Sequence, residues 1–476
     1  MKNDRFRLAA LILFALFGAE SLWNDPARAG DQVVAIATDF STGFLSVMEA
    51  EPPWTAQSNV EPTHSDARVR TWGRRVYAVN RFGADNVQWI DPDGGWQTVC
   101  QFSVGPGSNP QDLIVVSSEK AYVPRYDSEW LYVVDPTACA VTDSISLAGF
   151  ADADGLPEME RGIKAAGLVF VNVQRLDRDN FYLPVAPSYL AVIDPETDEL
   201  LDADPSAQGI QGIELLGLNP FMEIQRSPVD GDLLVGTVGT FGVLDGGIER
   251  VDPVTLASGG WMTSESDLGG ELLAFTVVGP HEGYAVVSDA SFNTCLVLFD
   301  PATGDLIDTM DCTSGFNFSQ DVVAHDGRLF VGDRTPANPG IRVYELGTQD
   351  PVAGPISVGL PPDDMAILPA EPASAGEPGP TASRLSLTRP RPNPAAGFAR
   401  VTVLLSRESR IRLGLFDSSG RRRAVLHDGV LPAGSHEFTV RPGVGGVDRL
   451  PAGSYWIRAV DDRGEAAAAV PLRILR

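Results

Sequence analysis

Several catalytic signatures are missing from this 476-residue chain. It has no H-E-x-x-H helix pattern, no phosphate-binding glycine loop after a strand-like segment and no serine nucleophile elbow. The five histidines, His64, His281, His325, His427 and His436, are scattered over separate segments, so no histidine-centred metal or acid–base site is apparent. None of the four cysteines forms a C-x-x-C pair, which removes the usual redox and zinc motifs. Beyond the N-terminal leader, no stretch approaches eighteen consecutive apolar residues, so no transmembrane segment is expected in the mature chain.

What is present begins with a leader. Lys2, Arg5 and Arg7 precede the apolar run AALILFALFG, and Ala27 and Ala29 satisfy the small-residue rule for cleavage. Residues 1–29 therefore read as a signal peptide. The mature chain is expected to be exported, to a periplasmic, cell-surface or extracellular location. A net charge of -27 argues against a nucleic-acid partner. The charge is uneven: residues 383–476 hold 16 Arg, no Lys and 8 acidic residues, while the preceding region is strongly acidic. Residues 371–383, rich in Pro, Ala and Gly, read as a linker between residues 30–370 and residues 384–476.

Within the first of these regions a short apolar strand ends repeatedly in Asp-Pro, at Asp91, Asp135, Asp194, Asp252 and Asp300. A second strand follows each turn, which is a hairpin signal. Upstream lie further strands, such as RVYAVNR, KAYVPRY, LVFVNVQR, YAVVSD and RLFVGD, and before these ARVRTW, QDLIVV, MEIQRS, LLAFTV and QDVVAH. Four short strands per unit of roughly 45–60 residues describe a propeller blade. Six units are explicit, and a seventh is split: VVAIATDF and GFLSVM open the region, and DDMAIL supplies the missing inner strand from its end. The fold class is all-β, a seven-bladed β-propeller followed by a β-sandwich.

The cysteines fit this register. Cys295 and Cys312 flank one Asp-Pro hairpin symmetrically, and Cys100 and Cys139 sit on consecutive units, so two disulfides are expected.

The phrases KAYVPRYDSEWLYVVDPTAC and RLFVGDRTPANPGIRVYEL resemble the YVTN-type secreted β-propeller family, and residues 152–299 resemble uncharacterised bacterial exported propellers. The segments RPRPNPAAGFARVTVLL, IRLGLFDSSGRRRAVLHDGVLPAGSHEFTV and LPAGSYWIRAV resemble the Ig-like domain of flagellar hook-capping proteins, found also in some type IX secretion cargo. These resemblances imply fold, and no reaction.

Polar residues ending the second strand of successive units, Asp39, Arg81, Arg125, Arg175, Asp289 and Asp333, are candidates to face the channel mouth. They suit a charged or sugar-like ligand, or equally satisfy one another in salt bridges. The acidic stretch ADADGLPEMERG supplies Asp152, Asp154 and Glu158, and the next loop supplies Asp177 and Asp179. Two acidic loops at one mouth suit Ca²⁺, and they suit solvated turns as well. The favoured reading is a noncatalytic binding or surface protein whose partner is an envelope or extracellular protein or a glycan. The alternative is a hydrolase or lyase acting on a carbohydrate-like substrate through paired carboxylates.

Overall fold

The computed structural model describes residues 30–370 and, beyond them, residues 385–388, 390, 399–405, 409–417, 422–432, 434–440, 453–461 and 467–474. The leader and the segment assigned as a linker lie outside the described residues.

Seven antiparallel sheets follow one another along residues 30–370. Blade 1 combines Pro362–Leu368 with Gln32–Thr38, Gly43–Glu49 and Ala56–Thr63; blade 2 runs from Ala67–Trp72 to Gln97–Ser103, and blade 3 from Ile114–Ser117 to Ala140–Ser146. Blade 4 runs from Met159–Ala165 to Ile213–Glu214, blade 5 from Gln225–Arg226 to Ala257–Ser264, blade 6 from Glu271–Gly279 to Leu306–Thr313, and blade 7 from Phe318–His325 to Pro351–Ile356. The ring closes as the split unit requires. Gln32 pairs with Leu368 and Val34 with Ala366, so neither chain end leaves an unpaired inner edge.

The core is as cyclic as the backbone. Each of seven apolar clusters joins two adjacent blades, and together they account for every neighbouring pair, including blades 7 and 1. The strand Gln32–Thr38 shows why. Val33, Ala35 and Ala37 pack toward blade 7, whereas Val34 and Ile36 pack toward blade 2. Side chains alternate across a strand, and a blade is covered on both faces, so its central strands are apolar throughout rather than amphipathic.

The recurrent Asp-Pro has a local cause. Asp91, Asp135, Asp194, Asp252 and Asp300 each accept, through Oδ1, the N–H two residues on, at 3.0, 2.8, 2.9, 2.8 and 2.8 Å. The carboxylate closes the turn and the proline presets its φ. Blade 4 departs from the regular unit, which explains the longer spacing around Asp194. Its outer edge is split between Glu199–Leu200 and Ile213–Glu214, and a small hairpin, Leu176–Asp177 with Leu183–Pro184, is inserted after its second strand.

Both disulfides form as the sequence suggests, Cys100–Cys139 and Cys295–Cys312. The second hairpin reaches its pairing by an unforeseen route: Phe299 pairs with Leu306, and two register shifts then bring Cys295 opposite Cys312. Beyond the propeller, Leu385–Leu387, Ala399–Leu405 and Gly434–Val440 form one sheet, and Arg422–Leu431, Ser409–Asp417, Gly453–Asp461 and Ala467–Ile474 form another. Val401, Val403, Leu413 and Ile457 share one core between them, as in a β-sandwich.

Cys100–Cys139 closes a separation of 39 residues and links two blades, whereas Cys295–Cys312 closes 17 residues within one. Loop-closure entropy then predicts that Cys100→Ser with Cys139→Ser costs about 4 kcal/mol and the other double replacement about 3 kcal/mol. Denaturant unfolding checks the ordering, and a larger loss from the Cys295 pair would contradict it.

Candidate functional site

In each blade the first strand lines the central channel, and the loops after the second and fourth strands share one face of the ring. Of the six residues singled out at the ends of second strands, Asp39, Arg81, Arg125, Arg175 and Asp289 lie in loops on this face, and Asp333 is the last residue of the strand Arg328–Asp333. The structure does not gather them into one cluster. Asp39 and Asp289 shape their own loops, accepting the N–H groups of Ser41 and Thr42 and of Ser291 and Asn293. Arg81 pairs with Asp66 and donates to Gln111 at 2.7 Å. Arg125 lies 3.8 Å above the Tyr132 ring, Arg175 donates to the Pro187 carbonyl at 2.7 Å, and buried Asp333 pairs with Arg342 at 2.6 Å.

The acidic loops do meet, and what joins them is a guanidinium. Arg178 sits 2.8 Å from Glu158, 2.6 Å from Asp127 and 3.6 Å from Asp154. It supplies the positive charge at the point where the calcium reading places an ion. Asp152 and Asp177 accept the backbone N–H groups of Asp154 and Asp179, which is turn chemistry. Asp179 belongs to the short 3₁₀ turn Arg178–Asn180 that presents the arginine. Among the described residues, the group with three ligand atoms mutually close enough for one metal is Asp31, His325 and Asp326, where the turn between the first two strands of blade 7 meets the ring closure. There His325 lies 2.7 Å from Asp31, and Asp31 also accepts the Ala370 N–H, tying both ends of the ring together.

The densest charge lies elsewhere, in the channel, on or just before the first strands of the blades. Two of its members, Glu160 and Arg161, stand near the end of the stretch ADADGLPEMERG, which the sequence reads as an acidic loop and whose last residues instead form the strand Met159–Ala165. Asp364 of blade 1 faces Arg161 of blade 4 at 3.0 Å and Arg68 and Arg70 of blade 2 at 3.5 and 3.6 Å. Arg68 reaches Glu160 at 3.2 Å and Arg70 reaches Asp112 at 2.5 Å. The carboxylates also bind backbone across blade boundaries. Asp321 accepts the Met365 N–H, Asp364 the Val69 N–H and Asp112 the Gly162 N–H, at 2.5, 2.7 and 2.9 Å. One signal for them stands in the sequence: Asp363–Asp364, Gln111–Asp112, Glu160, Glu223 and Gln320–Asp321 place an acid near the start of the first strands of blades 1, 3, 4, 5 and 7.

Environment separates these acids. Burial alone would raise Asp364, yet Arg161, Arg70 and Arg68 hold it below the ordinary carboxylate range. Burial raises Glu160 against the pull of Arg68. Asp321 is raised well above its ordinary value by burial and by the neighbouring Asp364 and Glu223 carboxylates. Beside this network lies a cavity of about 370 Å³, lined among others by Arg68, Arg70, Arg161, Glu223, Asp321 and Phe221. Its volume is in the range of small-ligand pockets, about 300–1,000 Å³.

No protein-family model matches the sequence, and comparison with curated proteins gives no match. Solved structures do resemble it. A 6-phosphogluconolactonase-like protein from Bacteroides fragilis is 12% identical, with a TM-score of 0.50 over 71% of this chain and 98% of that one. A second such protein, from Bacteroides uniformis, is 11% identical, with a TM-score of 0.50 over 71% and 99%. PorZ, a surface component of the type-IX secretion system of Porphyromonas gingivalis, is 12% identical, with a TM-score of 0.44 over 92% of this chain and 64% of its own. At these identities the first two show a shared propeller fold and nothing further.

Two fully buried acids in blade-to-blade connections, Glu158 and Glu265 at the start of the short helix Glu265–Leu268, set a pH dependence. Burial pushes Glu158 and Glu265 up to about 7, against hydrogen bonds from Arg178 and Leu176 to the first and from Leu272 and Gly246 to the second. A raised folded-state value means that the folded protein binds the extra proton. The contribution is complete below about pH 4.3, the ordinary Glu value, and is lost as pH rises through about 7. The melting temperature is therefore expected to fall from pH 5 to 8, with Glu265→Gln flattening the slope. Thermal melts that rise or stay level over that interval would contradict this.

Proposed function

We propose that this chain is an exported, noncatalytic binding propeller that presents the mouth of its central channel to a ligand at or beyond the cell envelope. The observation that carries the reading is the channel cavity of about 370 Å³, a concave space lined by residues on or just before the first strands of several blades, Arg68, Arg161, Glu223 and Asp321 among them. Two disulfides agree with an oxidising compartment. No helix among the described residues is long and apolar enough to cross a membrane. The resemblance of the blades to YVTN-type secreted propellers supports the same placement. The C-terminal sandwich, with its Ig-like resemblance and its many arginines, serves as a docking, spacing or sorting module in this reading. The partner is an envelope or extracellular protein or a glycan.

One observation favours the hydrolytic alternative. Asp321 and Glu223 line the same cavity, and the first is raised well above its ordinary value, which is how an acid and a base are set apart in paired-carboxylate chemistry. Against it, the Asp321 carboxylate already accepts the Met365 N–H at a blade junction. Both readings are tested together. The mature chain is screened against envelope polysaccharides and extracellular proteins for binding, and against the polysaccharides for release of reducing ends. Binding without release, abolished by Gln320→Trp at the exposed cavity wall, is the expected result. Binding that survives Gln320→Trp would move the ligand face away from the channel, and release of reducing ends would establish the hydrolase.

A further inference from the structure

A second group of side chains meets where the ring closes, on the face opposite the channel mouth. Successive strands of a blade run in opposite directions, so the turn after the first strand of blade 7 and the start of Gln32–Thr38 share that face. Asp31, just ahead of Gln32–Thr38, meets His325 and Asp326 of the turn there, and one ligand atom from each lies within 4.8 Å of the others. The chain leaves the ring at the same place, since Ala370 donates its N–H to Oδ1 of Asp31 at 2.6 Å. That bond fixes the carboxylate, and its Oδ2 is directed at His325.

Hydrogen bonding accounts for only part of the arrangement. Nε2 of His325 lies 2.7 Å from Oδ2 of Asp31 and 3.7 Å from Oδ2 of Asp326. A ring nitrogen carries at most one proton, and Asp31 is placed to take it; the contact to Asp326 is beyond hydrogen-bond range. Among the described residues, neither carboxylate pairs with a lysine or an arginine. Even a protonated imidazole would leave the three groups with a net negative charge. A divalent cation cancels both carboxylates and uses the imidazole as a neutral ligand.

The donor set narrows the cation. Ca²⁺ and Mg²⁺ take oxygen ligands, whereas imidazole suits Zn²⁺ and neighbouring divalent transition metals. Tetrahedral zinc, with ligands at about 2.0–2.2 Å, holds them about 3.3 Å apart, so both contacts of His325 need to change by only about half an ångström. Asp326 can supply that change, because it is exposed and sits beside Gly327 in a two-residue turn, with φ of 42° and 76°. Its exposure also leaves a fourth position open to water. All four cysteines are held in disulfides, so no thiolate in the folded chain competes for the metal.

We propose that Asp31, His325 and Asp326 form a zinc-class metal site that fastens blade 7 to blade 1 and to the point where the chain leaves the ring. The site is separate from the channel mouth and does not depend on that reading. The test is calorimetric titration of the untagged, chelator-treated mature chain with Zn²⁺ and, separately, with Ca²⁺, together with thermal melts. One Zn²⁺ per chain is expected to bind and to raise the melting temperature by about 4 °C at a hundredfold excess over Kd, with no such rise from Ca²⁺. Asp326→Asn retains the turn, since asparagine tolerates left-handed backbone. It is expected to leave the metal-free melting temperature unchanged and to weaken Zn²⁺ binding by more than about tenfold, the loss that an outer partner of a metal ligand alone can cause. Equal stabilisation by Ca²⁺ would overturn the metal class. Zn²⁺ binding that Asp326→Asn and His325→Gln both leave intact would be adventitious and would overturn the site, as would no binding at all, leaving His325 and Asp31 an ordinary ion pair.

Discussion

The structure depends on how its last propeller strand is held. A ring made from a linear chain is stable only if the segment that closes it is fastened as firmly as the rest. Here that segment, Pro362–Leu368, carries Asp364 into the channel. Its carboxylate meets Arg68, Arg70 and Arg161 and accepts the Val69 N–H, so one buried group binds blade 1 to blades 2 and 4. The backbone pairing with Gln32–Thr38 satisfies the edge, and the carboxylate fixes the strand to the far side of the channel. Its charge is favourable only because three guanidinium groups surround it. A lone buried carboxylate would take up a proton instead.

The same arrangement connects closure to function. Aligning first strands around a narrow channel forces their polar side chains into one space. Asp321 and Asp112 meet the need by receiving N–H groups of the next blade, and the arginines meet it only in part. The network lies beside the channel cavity. Under the channel-mouth reading, the ligand site is bordered by the same groups that hold the ring together. On the outer loops the balance differs, because Arg81, Asp39 and Asp289 are satisfied within their own loops or by a neighbour.

Much of the fold was legible because it repeats. The Asp-Pro turns, the split unit and the Cys295–Cys312 pairing all follow from local rules, and local rules leave traces in a single sequence. The irregular parts of blade 4 were not, since a two-residue strand such as Glu199–Leu200 has no period to read. The site was harder for a different reason. Asp364 and Arg161 are separated by 203 residues and meet only because the ring closes, so their partnership has no spacing signature. The acidic stretch at Asp152–Glu158 was conspicuous by composition, yet the residue that organises it, Arg178, lies 20 residues after Glu158, with no motif to mark it.

The claim that Asp364 locks the ring is most directly tested by denaturant unfolding of Asp364→Asn in the mature chain at neutral pH. Leaving Arg68, Arg70 and Arg161 without their shared carboxylate should cost about 3–5 kcal/mol. A loss below about 1 kcal/mol, the level of an exposed ion pair, would contradict it and return the closure to backbone pairing and apolar packing alone.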